Sequence, residues 1–306
     1  MVGIRRLEVK VGAPGLAGVL TLPSESDDRP PVVVMLSGSG PNDKDETVGP
    51  NRPFRDIAEG LAKRGIATLR YDKRTRTYPL SVGPTFLATE EYLPDARAAV
   101  KLLQARSDVD VSRIFLLGHS LGGTLAPRVA TLVPAFIGVI LMAASAEPFG
   151  QAVVRQLTYL STLGGVAADQ ARAALPDAQA LAKQLDDPGL RPTDKIASPL
   201  AGGGSGAYFL DLRDYDELAT ARSLRRPILI LQGERDYQVT VAENFDKWVG
   251  ALAGRTDVTT HRYPKANHLF FDGDGPPGPL EYEKVSHVNA TVIRDISEWV
   301  RELKAD

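Results

Sequence analysis

Leu7-Glu8-Val9-Lys10-Val11 alternates apolar and polar positions, Gly12 to Gly15 turn the chain, and Leu16 to Leu22 alternates again. Period-two alternation on both sides of a glycine turn predicts a leading antiparallel pair of strands. A different pattern follows. Val32-Val33-Val34-Met35-Leu36 is apolar at every position, as expected of a strand covered on both faces. Ile66 to Tyr71 is the next strand, Ile114 to Leu117, Ile137 to Met142 and Ile228 to Leu231 are further buried strands, and Val258 to Tyr263 alternates as an edge-like last strand. Between them run helical stripes: Ile57, Ala58, Leu61 and Ala62, which Gly65 stops; Ala96, Ala99, Val100 and Leu103; and a closing helix with Val288, Val292, Ile296, Trp299, Val300 and Leu303.

Buried strands alternating with helices predict an α/β fold with a mostly parallel central sheet and helices on both faces. From Ala143 to Arg226 the rhythm breaks. Only Tyr208-Phe209-Leu210 is strand-like there, among stripes such as Val153, Leu157 and Leu160, or Ala174, Ala178, Leu181 and Leu185. Pro176 and Pro188 are expected to punctuate these helices, and Gly202 to Gly206 reads as a flexible link. The segment is expected to be an inserted helical cap over residues 145–221, with the α/β core formed by residues 1–144 and 222–306.

Composition narrows the chemistry. The 306 residues contain no cysteine, which excludes thiol catalysis, disulfides and cysteine-based metal sites. Formal net charge is −2 with both signs interspersed, so neither nucleic acid nor an anionic membrane is an expected partner. No apolar stretch is long enough to span a bilayer, and nothing after Met1 to Arg6 resembles a leader, so the expected setting is the cytoplasm. Asp43, Asp45 and Glu46 cluster without a histidine or regular spacing, so a solvated or locally hydrogen-bonded loop is expected there and no metal.

The remaining signal is Gly118-His119-Ser120-Leu121-Gly122, a G-x-S-x-G match between a strand-like run and a helical pattern. A serine at the apex of so tight a turn needs neighbours with almost no side chain. It also needs a base, and the base a carboxylate. Of four histidines, His268 lies in a loop just after the last strand and is the expected base, with His287 as substitute. Asp236, in the loop after Ile228 to Leu231, is the expected carboxylate, with Glu234 as alternative. The Leu121 N–H supplies one oxyanion donor. The Ser39 N–H, in the glycine-rich stretch after Leu36, is the candidate for the second. His119, Tyr208 and Arg74 are candidate substrate contacts; packing is the alternative for the first two, and an ion pair with Asp72 or a loop acid for Arg74. Pro127 is expected to kink or delay the helix after the turn.

With Ser37 to Asp45, Leu69 to Arg74, Gly118 to Gly123 and Leu231 to Val239 on the page, the chain resembles the serine esterases of the α/β-hydrolase fold. More narrowly, it is similar to the EstD-like group of bacterial carboxylesterases. The resemblance implies hydrolysis of a small-molecule ester with small to medium acyl groups, through an acyl-enzyme and without a cofactor. An aminopeptidase, an amidase or an acyltransferase would share every catalytic part, whereas a non-catalytic binding protein would lack a triad member. Ser37 replaces the histidine that commonly braces the oxyanion loop in such enzymes, which bears on the loop's rigidity and not on its N–H groups. Oligomeric state is not legible in the sequence.

Overall fold

The computed structural model describes residues 3–24, 28–79, 83–202 and 204–304. Among the described residues these patterns become eight strands: β1 (Ile4–Val11), β2 (Leu16–Pro23), β3 (Val32–Leu36), β4 (Ala67–Tyr71), β5 (Ile114–His119), β6 (Phe136–Met142), β7 (Ile228–Gly233) and β8 (Val258–Tyr263). They form one sheet in the order β1-β2-β4-β3-β5-β6-β7-β8. β2 pairs antiparallel with both β1 and β4, and every pairing from β4 to β8 is parallel.

Among the described residues ten α-helices accompany the sheet: α1 (Pro53–Ala62), α2 (Arg74–Thr77), α3 (Leu93–Gln104), α4 (Leu121–Leu132), α5 (Phe149–Leu160), α6 (Gly165–Asp186), α7 (Gly206–Arg213), α8 (Glu217–Ser223), α9 (Asp246–Ala251) and α10 (Ala290–Glu302). The uninterrupted apolar strands have a direct packing explanation. Val32, Val34 and Leu36 of β3 enter a core shared with α3 and α4, whereas Val33 and Met35 enter the opposite core with α1 and α10. Both faces are therefore dry, and period-two alternation would have put a polar row into one of them. Trp299 of α10 closes the second core edge-on against Phe115 of β5, with centroids 5.8 Å apart.

The helical insertion lies between β6 and β7. α5 and α6 pack along one another, and Phe149 of α5 meets Phe209 of α7 at 5.1 Å between centroids. Two local expectations change here. Tyr208 to Leu210 is helical, since the Ser205 hydroxyl accepts the Tyr208 N–H and caps α7. Pro176 does not break α6, because the Arg172 carbonyl that loses its partner lies on an exposed turn open to water. Gly203 of the glycine run lies outside the described residues. In the core, α4 starts directly after Ser120 and continues through Pro127, its first turn fixed by the Thr124 N–H donating to the Ser120 carbonyl at 3.0 Å. Among the described residues no helix is long and apolar enough to cross a membrane.

Candidate active site

Parallel strands end on one edge of the sheet, and the loops that leave β3, β5, β7 and β8 there carry the candidate residues. Ser120 stands between β5 and α4 with φ 52° and ψ −122°. The flanking glycines are required by contact. A Cβ on Gly118 would lie 2.2 Å from the Gly122 oxygen, and one on Gly122 would lie 2.4 Å from the Leu36 oxygen of β3. The turn is thus pressed between its own helix and the next strand. Leu121 is the first residue of α4, so its N–H has no partner within the helix and points outward from the positive end of the helix dipole.

His268 and Asp236 meet on the neighbouring loops. His268 Nδ1 donates to Asp236 Oδ2 at 2.7 Å. The other carboxylate oxygen accepts the N–H groups of Gln238 and Val239, each at 2.8 Å, and the Asp236 side chain is 0% exposed. Because Nδ1 faces a carboxylate it carries the proton, which leaves Nε2 of His268 as the basic nitrogen. Glu234, the alternative acid, instead pairs with Arg262 at 3.0 Å on the surface. His287, the alternative base, is exposed beside Asp56.

The loop after β3 approaches Ser120 closely: a Cβ on Gly38 would lie 3.0 Å from Ser120 Cβ. Ser37 leaves no imidazole to brace this loop, and its own buried hydroxyl has no hydrogen-bond partner among the described residues. Other groups do the bracing. The Gly38 N–H donates to Glu46 Oε1 at 2.5 Å, and the Gly38 carbonyl accepts Lys73 Nζ at 2.8 Å and Asn42 Nδ2 at 3.0 Å. The Tyr92 hydroxyl lies 3.0 Å from the Ser37 carbonyl. Glu46, Lys73, Glu91 and Tyr92 were not legible as site residues, because each is a charged or aromatic residue with no partner near it in sequence.

None of the three expected substrate contacts lines the cavity beside Ser120. His119 is buried, with Nδ1 donating to Glu46 Oε1 at 3.0 Å and Nε2 to the His268 carbonyl at 2.9 Å. Both partners are acceptors, so the ring carries both protons. Burial opposes that charge, but the Glu46 carboxylate, joined by the His268 carbonyl and the Asp236 charge, holds the His119 pKa above the ordinary imidazole value. Arg74 forms a two-pronged bond with Asp95, at 2.9 and 2.7 Å, and leaves Asp72 to Lys44. The Tyr208 hydroxyl donates to Glu91 Oε2 at 2.8 Å while its neighbour Phe209 faces the cavity. The acidic cluster is likewise used locally: Asp45 binds Arg70 at 2.7 Å and Asp43 accepts the Thr47 hydroxyl at 2.8 Å.

The cavity measures about 490 Å³. Ser39, Ser120 and Leu121 form its floor, and Phe149, Leu157 and Phe209 of the helical insertion are among the residues that wall it. One further property marks this edge of the sheet. Glu46, Ser120, Ala143 and Phe270 are the non-glycine residues with positive φ among those described, and each lies in a segment that leaves this edge. Left-handed backbone at such residues is strained, and strain of this kind gathers at functional sites.

Comparison with known proteins agrees with this architecture. The sequence pattern of the alpha/beta hydrolase family matches residues 18–285. Esterase EstD of Thermotoga maritima is 39% identical over 287 residues, covering 94% of this chain; the chain spans 65% of that relative's length. Among solved structures, Est1E of Butyrivibrio proteoclasticus superposes with a TM-score of 0.60 at 16% identity, covering 97% of this chain and 98% of that one. An esterase of Pyrococcus furiosus gives 0.59 at 16% identity, over 98% and 91% of the two chains. At such identity these two matches speak for the fold alone. From β2 to the loop before α10 the matched region takes in every strand that feeds the site, and the chain belongs to the alpha/beta hydrolase family.

Proposed function

We propose that this protein hydrolyses carboxylic esters of small to medium acyl groups. The observation that carries the reading is the buried Asp236–His268 pair, 2.7 Å between Oδ2 and Nδ1, on loops beside a serine held at φ 52° between strand and helix. Ser120 attacks the ester carbonyl while His268 Nε2 takes its proton. Asp236 holds the ring in that tautomer and stabilises its charged form. The Ser39 and Leu121 N–H groups receive the charge that develops on the carbonyl oxygen. The alkoxide leaves with the proton from His268, and water, deprotonated by the same nitrogen, then releases the acid from Ser120. All these groups belong to the chain, so the reaction calls for no cofactor.

The cavity fits an apolar acyl group, since 490 Å³ walled by leucine and phenylalanine is well within the range of small-molecule sites. In this reading residues 145–221 form the cap that selects substrate, residues 1–144 and 222–306 form the catalytic core, and the setting is cytoplasmic. That the 39%-identical relative is an esterase supports esters over amides. Of the three acids that line the cavity, Glu147 is held by Arg155 at 2.8 Å, which removes it as a simple anchor for a substrate amine, and Asp186 and Glu217 are the acids that aminoacyl amides would probe. The test is a series of p-nitrophenyl acyl esters beside aminoacyl amides, with Ser120→Ala as control and a fluorophosphonate probe to label the nucleophile. Esters turned over by the native chain alone, with the probe's mass on Ser120, are expected. Undiminished activity in Ser120→Ala would overturn the reading.

A further inference from the structure

Lys73 follows β4 and is 4% exposed, yet no substrate-facing role explains its charge. Its ammonium donates to the Gly38 carbonyl at 2.8 Å and to the Tyr92 hydroxyl at 2.9 Å, with Glu91 Oε1 at 3.2 Å. The peptide unit that carries this carbonyl also carries the Ser39 N–H. A trans peptide is planar, so the oxygen of residue 38 and the N–H of residue 39 point in opposite directions. Fixing the oxygen therefore fixes the aim of the N–H. The carbonyl already receives Asn42 and needs no cation for its own sake. A buried ammonium is costly to desolvate, and what it adds over a neutral donor is polarisation of the peptide, which strengthens the N–H on the far side.

The other end of this network leaves the core. Glu91 accepts the Thr75 hydroxyl at 2.7 Å through Oε1 and the Tyr208 hydroxyl at 2.8 Å through Oε2. Tyr208 belongs to α7 of the insertion, and its ring stacks on Phe86. A continuous chain of polar contacts thus runs from the insertion through Glu91 and Lys73 to the peptide that presents the Ser39 N–H.

We propose that Lys73 is a positioning residue for the oxyanion donor, holding and polarising the Gly38–Ser39 peptide, and that Glu91 and Tyr208 tie this setting to the cap. The inference rests on the hydrolase reading above. Its effect belongs to the transition state, where charge appears on the substrate oxygen, and not to the ground-state ester.

The experiment uses the full chain and two variants, Lys73→Met and Tyr208→Phe. It measures kcat and KM on a p-nitrophenyl ester, together with the inhibition constant of an alkyl trifluoromethyl ketone, whose serine adduct places an oxyanion at the same point. In folded Lys73→Met, kcat falls about 10- to 100-fold, KM changes less than about twofold, and affinity for the ketone falls in step with kcat. Tyr208→Phe keeps the ring packing and shows the same parallel loss, about 2- to 10-fold. Folded Lys73→Met with native kcat, or a kcat loss without loss of ketone affinity, overturns the assignment. Should Lys73→Met fail to fold, Tyr208→Phe decides alone, and native kcat and ketone affinity in it overturn the proposal. If the native chain itself neither turned over esters nor took the fluorophosphonate on Ser120, the hydrolase reading would have failed first, a result distinct from either of these.

Discussion

His119 Nε2 donates to the main-chain carbonyl of His268 across 2.9 Å, so the residue that precedes Ser120 holds the loop that carries the candidate base. The two rings lie 4.6 Å apart between centroids. Through Nδ1 the same imidazole reaches Glu46, which in turn holds the Gly38 N–H. One side chain therefore joins three of the four loops on which the proposed mechanism depends.

This junction predicts a pH-dependent contribution to stability. Burial opposes protonation of His119, and Glu46, joined by the His268 carbonyl and the Asp236 charge, overcomes it, so the folded-state pKa lies above the ordinary 6.5. A raised pKa means the charged form stabilises the fold fully below about pH 6.5, and that this part is lost as pH climbs through the folded-state value. Denaturant unfolding of the native chain and of His119→Gln should show the widest gap in stability below pH 6.5, narrowing above it. A gap that widens with rising pH would mean that the ring is neutral in the fold.

Asp236 and Glu234 lie two residues apart, yet only Asp236 touches His268. Asp236→Asn should lower kcat by up to about 10⁴-fold, because an amide there favours the wrong tautomer of the base. Glu234→Gln should stay within about twofold of native turnover. Steady-state kinetics on one ester measure both, and comparable losses would remove the special role of Asp236.

Leu157 projects from α5 into the wall of the cavity. Leu157→Trp should take up about 60 Å³ of it and shift the preferred acyl chain to a shorter one, with the acetyl ester little affected. A chain-length profile parallel to that of the native protein would place the acyl group elsewhere.

Two glycines should respond in opposite ways to the same methyl group. Gly122→Ala drives a Cβ to 2.4 Å from the Leu36 oxygen and should destabilise the protein by about 3 kcal/mol or more. Gly250 lies in α9 with open space where a Cβ would go, so Gly250→Ala should gain about 0.4–1 kcal/mol. Thermal unfolding of both variants checks the pair.

The sheet and the candidate triad were legible for one physical reason: each signal is local. A strand dry on both faces must be apolar at consecutive positions, as Val32 to Leu36 and Ile114 to Leu117 are, and each triad residue sits in the loop just after its own strand or at its end. The bracing network is the opposite case. His119 and Glu46 are 73 positions apart and Tyr208 and Glu91 are 117 apart, so no spacing rule joins them. Read alone, Glu46 belongs to an acidic loop and Lys73 to an ordinary charged strand end; only the closed fold removes them from water. Arg74 shows the limit from another side. An ion pair was foreseeable for it, but Asp95 became the partner because α3 brings that carboxylate beside the strand end.

Ser120 sits in a backbone conformation that glycine adopts freely and serine does not. A serine in that conformation lowers the stability of the chain by about 1–2 kcal/mol. A Ser120→Gly protein, unable to form an acyl intermediate, should resist denaturant better than its working parent.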